Sequence, residues 1–218
     1  MNANNYETKK KIDSPEIHEV LEESTFDALG YRTEGKRFEN LQETETVRGK
    51  EFYGCVFNKV DFSNAKNRNT GFVDCVFDHC DFSNGYFDEV VLRRVVFKNC
   101  RMTGCDFSSG TLQDVVFQGC QLDYTNFNSS KIQYVRYQEC RMLEGSMSMC
   151  KQSGLQFEDT VLNGTELLQT SLKGVDFRTA QIDGIAVEMS NLKGSIMTME
   201  QAAACAQLLG IIVKDEFH

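Results

Sequence analysis

The hydrophobic residues of this chain recur every five positions. Stepping by five from Val47 to Met197 meets 31 residues, of which 29 are large and apolar; only Asn67 and Gln152 break the series. A second series lies two residues earlier in each step, from Cys55 to Ser195. All of its 29 members except Leu155 and Ile185 are Ala, Cys, Gly, Ser, Thr or Val. Each unit reads small–polar–large–polar–polar, most plainly in Val60-Asp61-Phe62-Ser63-Asn64 and Cys105-Asp106-Phe107-Ser108-Ser109.

Neither regular element buries such a period. Five residues turn an α-helix by ~500°, which leaves successive members ~140° apart. In a flat strand an odd step sends successive members to opposite faces. A chain that turns a corner every five residues resets the alternation, and each unit then sends one large and one small side chain inward. Coils of that kind stack through backbone hydrogen bonds as a solenoid. A longer period gives the number of sides. The column Phe57, Phe77, Phe97, Phe117, Tyr137, Phe157, Phe177 and Met197 is aromatic at seven of eight places. Cys80, Cys100, Cys120 and Cys140 repeat at the same 20-residue spacing. Four units per coil predict about 7–8 coils over residues 47–197, a rod ~36 Å long at ~4.8 Å per coil.

This pattern resembles the pentapeptide-repeat family over residues 47–197. The large position matches the family's central Leu/Phe and the small position its Ala/Cys. The residue between them is Asp or Asn at Asp61, Asp81, Asp106, Asn126, Asp176 and Asn191. The resemblance implies an all-β solenoid, a right-handed quadrilateral β-helix of pentapeptide repeats.

The two ends depart from the repeat. Residues 1–46 do not hold the register. Ser14-Pro15-Glu16 predicts a helix start, with Ser as cap and Pro at the first position. Ile17, Val20 and Leu21 would share one face of that helix. The segment reads either as a cap over the first coil or as a partly ordered acidic arm. In residues 198–218, Thr198 and Gln201 have the spacing of a capping box, Ala202 to Ala206 favour helix, and Gly210 suits its end. Ile211-Ile212-Val213 then reads as a short strand. The last coil of a solenoid must be covered, either by this helix and strand alone or by a second copy across a twofold axis. In the family members this tail resembles, it makes a head-to-head dimer. That likeness implicates Met197, Leu208, Leu209, Ile211, Ile212 and Val213.

Composition narrows the function classes. The 218 residues carry a net charge of −9, which argues against a basic nucleic-acid-binding face. No stretch approaches the ~18 apolar residues of a membrane span. Met1 to Lys11 lacks the apolar core of a signal peptide, so a cytoplasmic location is expected. Eight of the nine Cys fall at the small inward position, and Cys205 lies in the terminal helix. They read as free, buried thiols rather than as a metal site or a disulfide framework, and no cofactor is expected. In Asp78-His79-Cys80-Asp81 the register turns Cys80 inward and leaves His79 at a corner, so no nucleophile meets a base. No catalytic residue is assigned and the chain reads as a non-enzyme.

A narrower resemblance concerns the Qnr-type subgroup. It rests on the long unbroken rod, a capped N-terminus and the tail from Leu192 to Ile211, of the form Leu-Lys-Gly-x-x-x-Thr…Gln-Ala…Leu-Gly-Ile. Such rods protect type II topoisomerases, DNA gyrase and topoisomerase IV, from quinolones, and are thought to resemble duplex DNA. The unbroken register leaves no room for a projecting loop, as in the loop-free members typical of Gram-positive bacteria. Charge tempers the mimicry. Residues 47–197 have a net charge of −2, residues 1–46 of −5 and residues 198–218 of −2, whereas ~36 Å of B-DNA carries about 21 negative charges. Local patches must then supply the contact. Asp61 and Asp81 share one outward column, which Arg101 and Arg141 continue. Asp74 and Asp114 share another, two coils apart, and Arg93, Arg94, Lys98 and Arg101 interrupt the acidic surface. The expected contact residues are Asp61, Asp74, Asp78, Asp81, Asp88 and Glu89. The alternative reading is an interaction scaffold for an unrelated cytoplasmic protein.

Overall fold

In the computed structural model the described residues are 11–17, 19–26, 29–42, 47–207 and 210–214. They wind as a parallel β-solenoid with one C-terminal helix. The strands are β1 (Glu22–Glu23), β2 (Arg32–Glu34), β3 (Lys36–Glu39), β4 (Glu51–Tyr53), β5 (Val56–Asn58), β6 (Gly71–Asp78), β7 (Val91–Lys98), β8 (Thr111–Gln118), β9 (Lys131–Gln138), β10 (Lys151–Ser153) and β11 (Gln156–Glu158). Pairings β6–β7, β7–β8 and β8–β9 are parallel and in register at a 20-residue step, as in Phe77↔Phe97, Phe97↔Phe117 and Phe117↔Tyr137. Extended strands account for about six turns. Single bridges, ending at Asp176↔Ile196, carry the stack on toward the C-terminus.

Corners make the five-residue period. Every fifth residue from Gly49 to Gly174 has a positive φ. Asn64, Asn69, His79, Asn84 and Asn99 are of the types that tolerate this conformation. Tyr124, Tyr134 and Met149 adopt it too, at a cost of about 1–2 kcal/mol each. What holds them is the next coil: the amide of Tyr124 donates to the Leu143 carbonyl at 2.9 Å and that of Met149 to Leu168 at 2.8 Å. At Gly104 the crowding is explicit. Its φ is +68°, and a Cβ there would lie 2.7 Å from the Asn84 Oδ1 one coil below.

Stacked rings fill the interior. Phe57 and Phe77 have ring centroids 4.6 Å apart, Phe97 and Phe117 4.9 Å, and Phe117 and Tyr137 4.8 Å at an interplanar angle of 2°. The column continues through Phe157 to Phe177. Neighbouring columns meet edge to face, as Phe77 does Phe82 at 5.4 Å and 71°, the second favoured aromatic geometry.

The small position does more than fill space. Its hydroxyl or thiol donates to the carbonyl of the large residue 23 positions earlier, on the coil below. Thr70 bonds Val47 at 3.0 Å, Thr125 bonds Met102 at 2.9 Å, Ser130 bonds Phe107 at 3.1 Å and Thr165 bonds Met142 at 2.8 Å. Cys140 reaches Phe117 at 3.3 Å and Cys150 reaches Phe127 at 3.1 Å. All nine cysteines are free.

In the N-terminal segment the solenoid begins ahead of the five-residue register. Strands β2 and β3 pair with β4 and β5 at a step of 19, Arg32↔Glu51 and Phe38↔Phe57. Positive φ at Gly35 and Asn40 keeps the same offset. Residues 32–42 are therefore built as part of the solenoid, and one missing residue shifts their frame out of the five-residue register. Phe26 stacks on Phe38 at 5.1 Å and closes this end of the ring column. The helix expected from Ser14 is absent: residues 11–17 carry no regular structure, and Val20, placed on its buried face, is 82% exposed. The amides of Asp13 and Glu16 are instead bonded to carboxylates of distant coils.

At the other end a 3₁₀ turn (Met189–Leu192) leads into helix α1 (Met199–Gln207). The capping box forms: the Thr198 amide donates to Gln201 Oε1 at 3.0 Å, and the Gln201 amide donates to Thr198 Oγ1 at 3.2 Å. The Gln201 Nε2 group also donates to the carbonyls of Phe177 and Ala180, both at 2.8 Å. It thereby satisfies acceptors that the last coils leave without a following coil. Gly210, at φ 75°, follows the helix. The strand expected at Ile211–Val213 is not formed in the single chain, because a strand needs a partner edge and none adjoins it among the described residues.

Candidate interaction surface

The six acids singled out in the sequence sit around the N-terminal coils but do not form one patch. Asp61 and Asp81 occupy one face as bridge partners. Their Oδ1 atoms cap the amides of Ser63 and Ser83 at 2.8 and 2.9 Å. Asp78 lies just across the adjoining corner, Asp88 follows on the next face with Glu89 at the corner that ends it, and Asp74 is at a corner of its own.

Four of the six carboxylates meet an arginine, and two of those share Arg68. Asp81 lies 3.2 Å from Arg101, Asp88 2.9 Å from Arg68, and Glu89 2.5 Å from the same Arg68. Asp78 Oδ1 contacts His79 Nδ1 at 2.7 Å. These pairs are solvent-exposed and screened, so each contributes little to stability; their consequence is a lower local field. Asp74 is the most enclosed. Its Oδ1 accepts from Arg94 Nε at 2.6 Å and from the Glu16 amide at 3.0 Å. Burial by itself would raise its carboxyl, but the Arg94 hydrogen bond and the Glu16 amide outweigh it and hold the group below the usual carboxylate range.

The Asp-His-Cys-Asp stretch assembles no nucleophile and base. His79 and Asp78 face solvent at the corner, while the Cys80 thiol points inward to the Phe57 carbonyl at 3.5 Å. Desolvation pushes the fully buried Cys105 thiol well up, away from the reactive thiolate. The other two histidines, His18 and His218, lie outside the described residues.

At the C-terminal end Met197 is half-buried against the core, with its sulfur 3.9 Å from that of Cys205. Ile211, Ile212 and Val213 are 51%, 80% and 45% exposed, a run of branched apolar side chains facing solvent. Leu208 and Leu209 lie outside the described residues.

A five-residue corner period, a four-unit coil and an inward small–large pair define the architecture, and residues 70–145 match the family model described as a pentapeptide repeat region. This stretch of the chain carries a pentapeptide-repeat region. No curated protein sequence matches it. Among solved structures it is similar to full-length QnrB1, described as a plasmid-mediated fluoroquinolone resistance protein. The identity is 16%, covering 83% of this chain and 100% of that one, with a TM-score of 0.31. It is also similar to HetL, a pentapeptide-repeat protein involved in heterocyst differentiation regulation from the cyanobacterium Nostoc sp. strain PCC 7120. There the identity is 14%, covering 76% and 89% of the two chains, with a TM-score of 0.39.

The repeat stacks its outward side chains in columns along the coils. Two features escaped the sequence reading. One is the position of Arg94 between Asp74 and Asp114, which a 20-residue step would have placed. The other is that residues 11–17 lie against that column, which no repeat could indicate. Among the described residues no helix is long and apolar enough to cross a membrane.

Proposed function

We propose that this rod binds a type II topoisomerase, DNA gyrase or topoisomerase IV, in the cytoplasm and shields it from quinolones without catalysing a reaction. The observation that carries the reading is the unbroken succession of corners from Gly49 to Gly174. It makes a rod with no projecting loop, so the contact must be made by the faces themselves. Asp61, Asp78, Asp81, Asp88 and Glu89 are the outward carboxylates offered to the enzyme's DNA-binding surface, with Asp74 at the edge of that surface. The arginine partners of Asp74, Asp81, Asp88 and Glu89 make shape, rather than net charge, the larger part of the mimicry. Two copies join through Met197 and the exposed Ile211, Ile212 and Val213, with Leu208 and Leu209 completing the interface. Pairing of these tails would give Ile211–Val213 the strand partner they lack in one chain. No cofactor and no direct nucleic-acid contact enter this reading.

The same pairing of acids with arginines favours a second reading, a scaffold for an unrelated protein, since a neutralised surface is a weak copy of DNA. Titrating the protein into a gyrase supercoiling assay with a fluoroquinolone separates the two. Recovery of supercoiling is the expected result. No recovery, together with no inhibition in the drug-free control, transfers the weight to the scaffold.

A further inference from the structure

Residues 11–17 are laid along the rod rather than around it. The Asp13 amide donates to Asp114 Oδ1 at 3.4 Å and the Glu16 amide to Asp74 Oδ1 at 3.0 Å. Asp74 and Asp114 occupy the same corner position two coils apart, so their spacing is about 9.6 Å at ~4.8 Å per coil. Three residues of extended chain span about 10 Å. The segment thus places one backbone N–H on every second coil, a match between the pitch of the rod and the rise of an extended peptide.

The intervening coil contributes Arg94, which bonds Asp74 and lies in the field of Glu16 and Asp114. It offsets the carboxylates of column and strap. Asp114 is 4% exposed and Ile12, one residue ahead of the first docked amide, is 7% exposed. Pro15 sits between the two docking amides and gives up no donor that the column uses. Beside the strap a hollow of about 310 Å³ remains, lined by Glu16, Ile17, Glu34, Tyr53, Gly54 and Asp74. The track is therefore not completely filled by the segment seated on it.

We propose that the corner column Asp74–Arg94–Asp114 is a docking track for an extended acidic peptide with an isoleucine ahead of the first docking amide, occupied in the resting chain by its own residues 11–17. Recognition is through backbone N–H groups read by two carboxylates, with Arg94 and the adjacent Arg93 tolerating acidic side chains on the ligand. The inference does not rest on topoisomerase binding: it shares Asp74 with the surface proposed above, but its readouts are peptide binding and amide exchange and use no enzyme.

Full-length protein carrying Asp13→Pro and Glu16→Pro lacks both donor N–H groups and leaves the column intact. A fluorescein-labelled acidic peptide of residues 12–20 is then titrated into this variant and into the wild type, with anisotropy as the readout. The variant is expected to bind about tenfold or more tightly than the wild type, in which the cis strap reduces the competent fraction. Arg94→Gln added to the variant should abolish the gain, and its thermal melt shows whether it is folded. Amide hydrogen exchange of the wild type gives a second measure. The Glu16 amide should be protected near neutral pH and lose protection as the pH falls below the ordinary carboxylate range. Asp74 has a lowered carboxyl value in the folded state, so its bond is present above that range and is lost on acidification. The titrating and charged groups facing it are Arg93, Arg94, Asp114, Glu16 and Glu34. Equal binding of the peptide to variant and wild type, or a Glu16 amide exchanging at the free-chain rate at neutral pH, would overturn the proposal.

Discussion

The Thr165 hydroxyl donates to the Met142 carbonyl at 2.8 Å, across 23 residues and one coil. The same offset links threonine, serine or cysteine at position after position of the small column. It gives that column a chemical requirement, a short side chain with a donor, beyond its need for small volume.

Thr165→Val keeps the shape and removes the donor, and should cost about 1 kcal/mol, the net worth of a buried hydrogen bond. Thr165→Cys should cost less, because cysteine makes the same bond at Cys140 and Cys150. Urea unfolding of the two variants tests the difference. Equal destabilisation would reduce the small position to a matter of size.

Tyr137 sits in the ring column between Phe117 and Phe157, and its buried hydroxyl makes no hydrogen bond. Burial drives its phenol well above the ordinary value, so it carries a neutral hydroxyl at physiological pH. Tyr137→Phe is expected to raise stability by about 1 kcal/mol, since an unsatisfied buried polar group costs about 1–3 kcal/mol. Phe117→Ala in the same column should lose about 3–5 kcal/mol through the cavity it opens. Chemical denaturation of both variants reads the opposite signs.

Met149 holds a φ of 58° at an exposed corner. Met149→Gly relieves a conformation that costs a side-chain residue about 1–2 kcal/mol, against a loss of about 1 kcal/mol from greater freedom in the unfolded chain. Met149→Asn keeps more of the second term and should melt higher than both the glycine variant and the wild type. A melting temperature below wild type would show that the side chain itself stabilises the corner.

Gln201 caps helix α1 and also the carbonyls of Phe177 and Ala180. Gln201→Glu retains the acceptor for the Thr198 amide but replaces a donor by a carboxylate facing two carbonyls. It should destabilise the C-terminal coils while leaving the helix start intact. Gln201→Ala should lose both functions. Site-resolved hydrogen exchange at the Ala180 and Thr198 amides distinguishes the two outcomes.

The solenoid, its four-sided coil and the inward-facing residues are legible in the residue pattern. Those features are local and repeated, and a side chain at every fifth position has no other backbone that buries it. The capping box at Thr198 and Gln201 was equally legible, since both partners lie within one helical turn. Only the tertiary structure revealed the coil at residues 32–42, where one missing residue moves Phe38 to a 19-residue step from Phe57. It alone decided that residues 11–17 form a strap instead of a helix. The competing hydrogen bonds come from Asp114 and Asp74, 101 and 58 residues away, and no local propensity contains them. It also decided the state of the candidate contact acids, because whether Asp88 meets Arg68 or Asp74 meets Arg94 depends on which residues the coil pitch brings side by side.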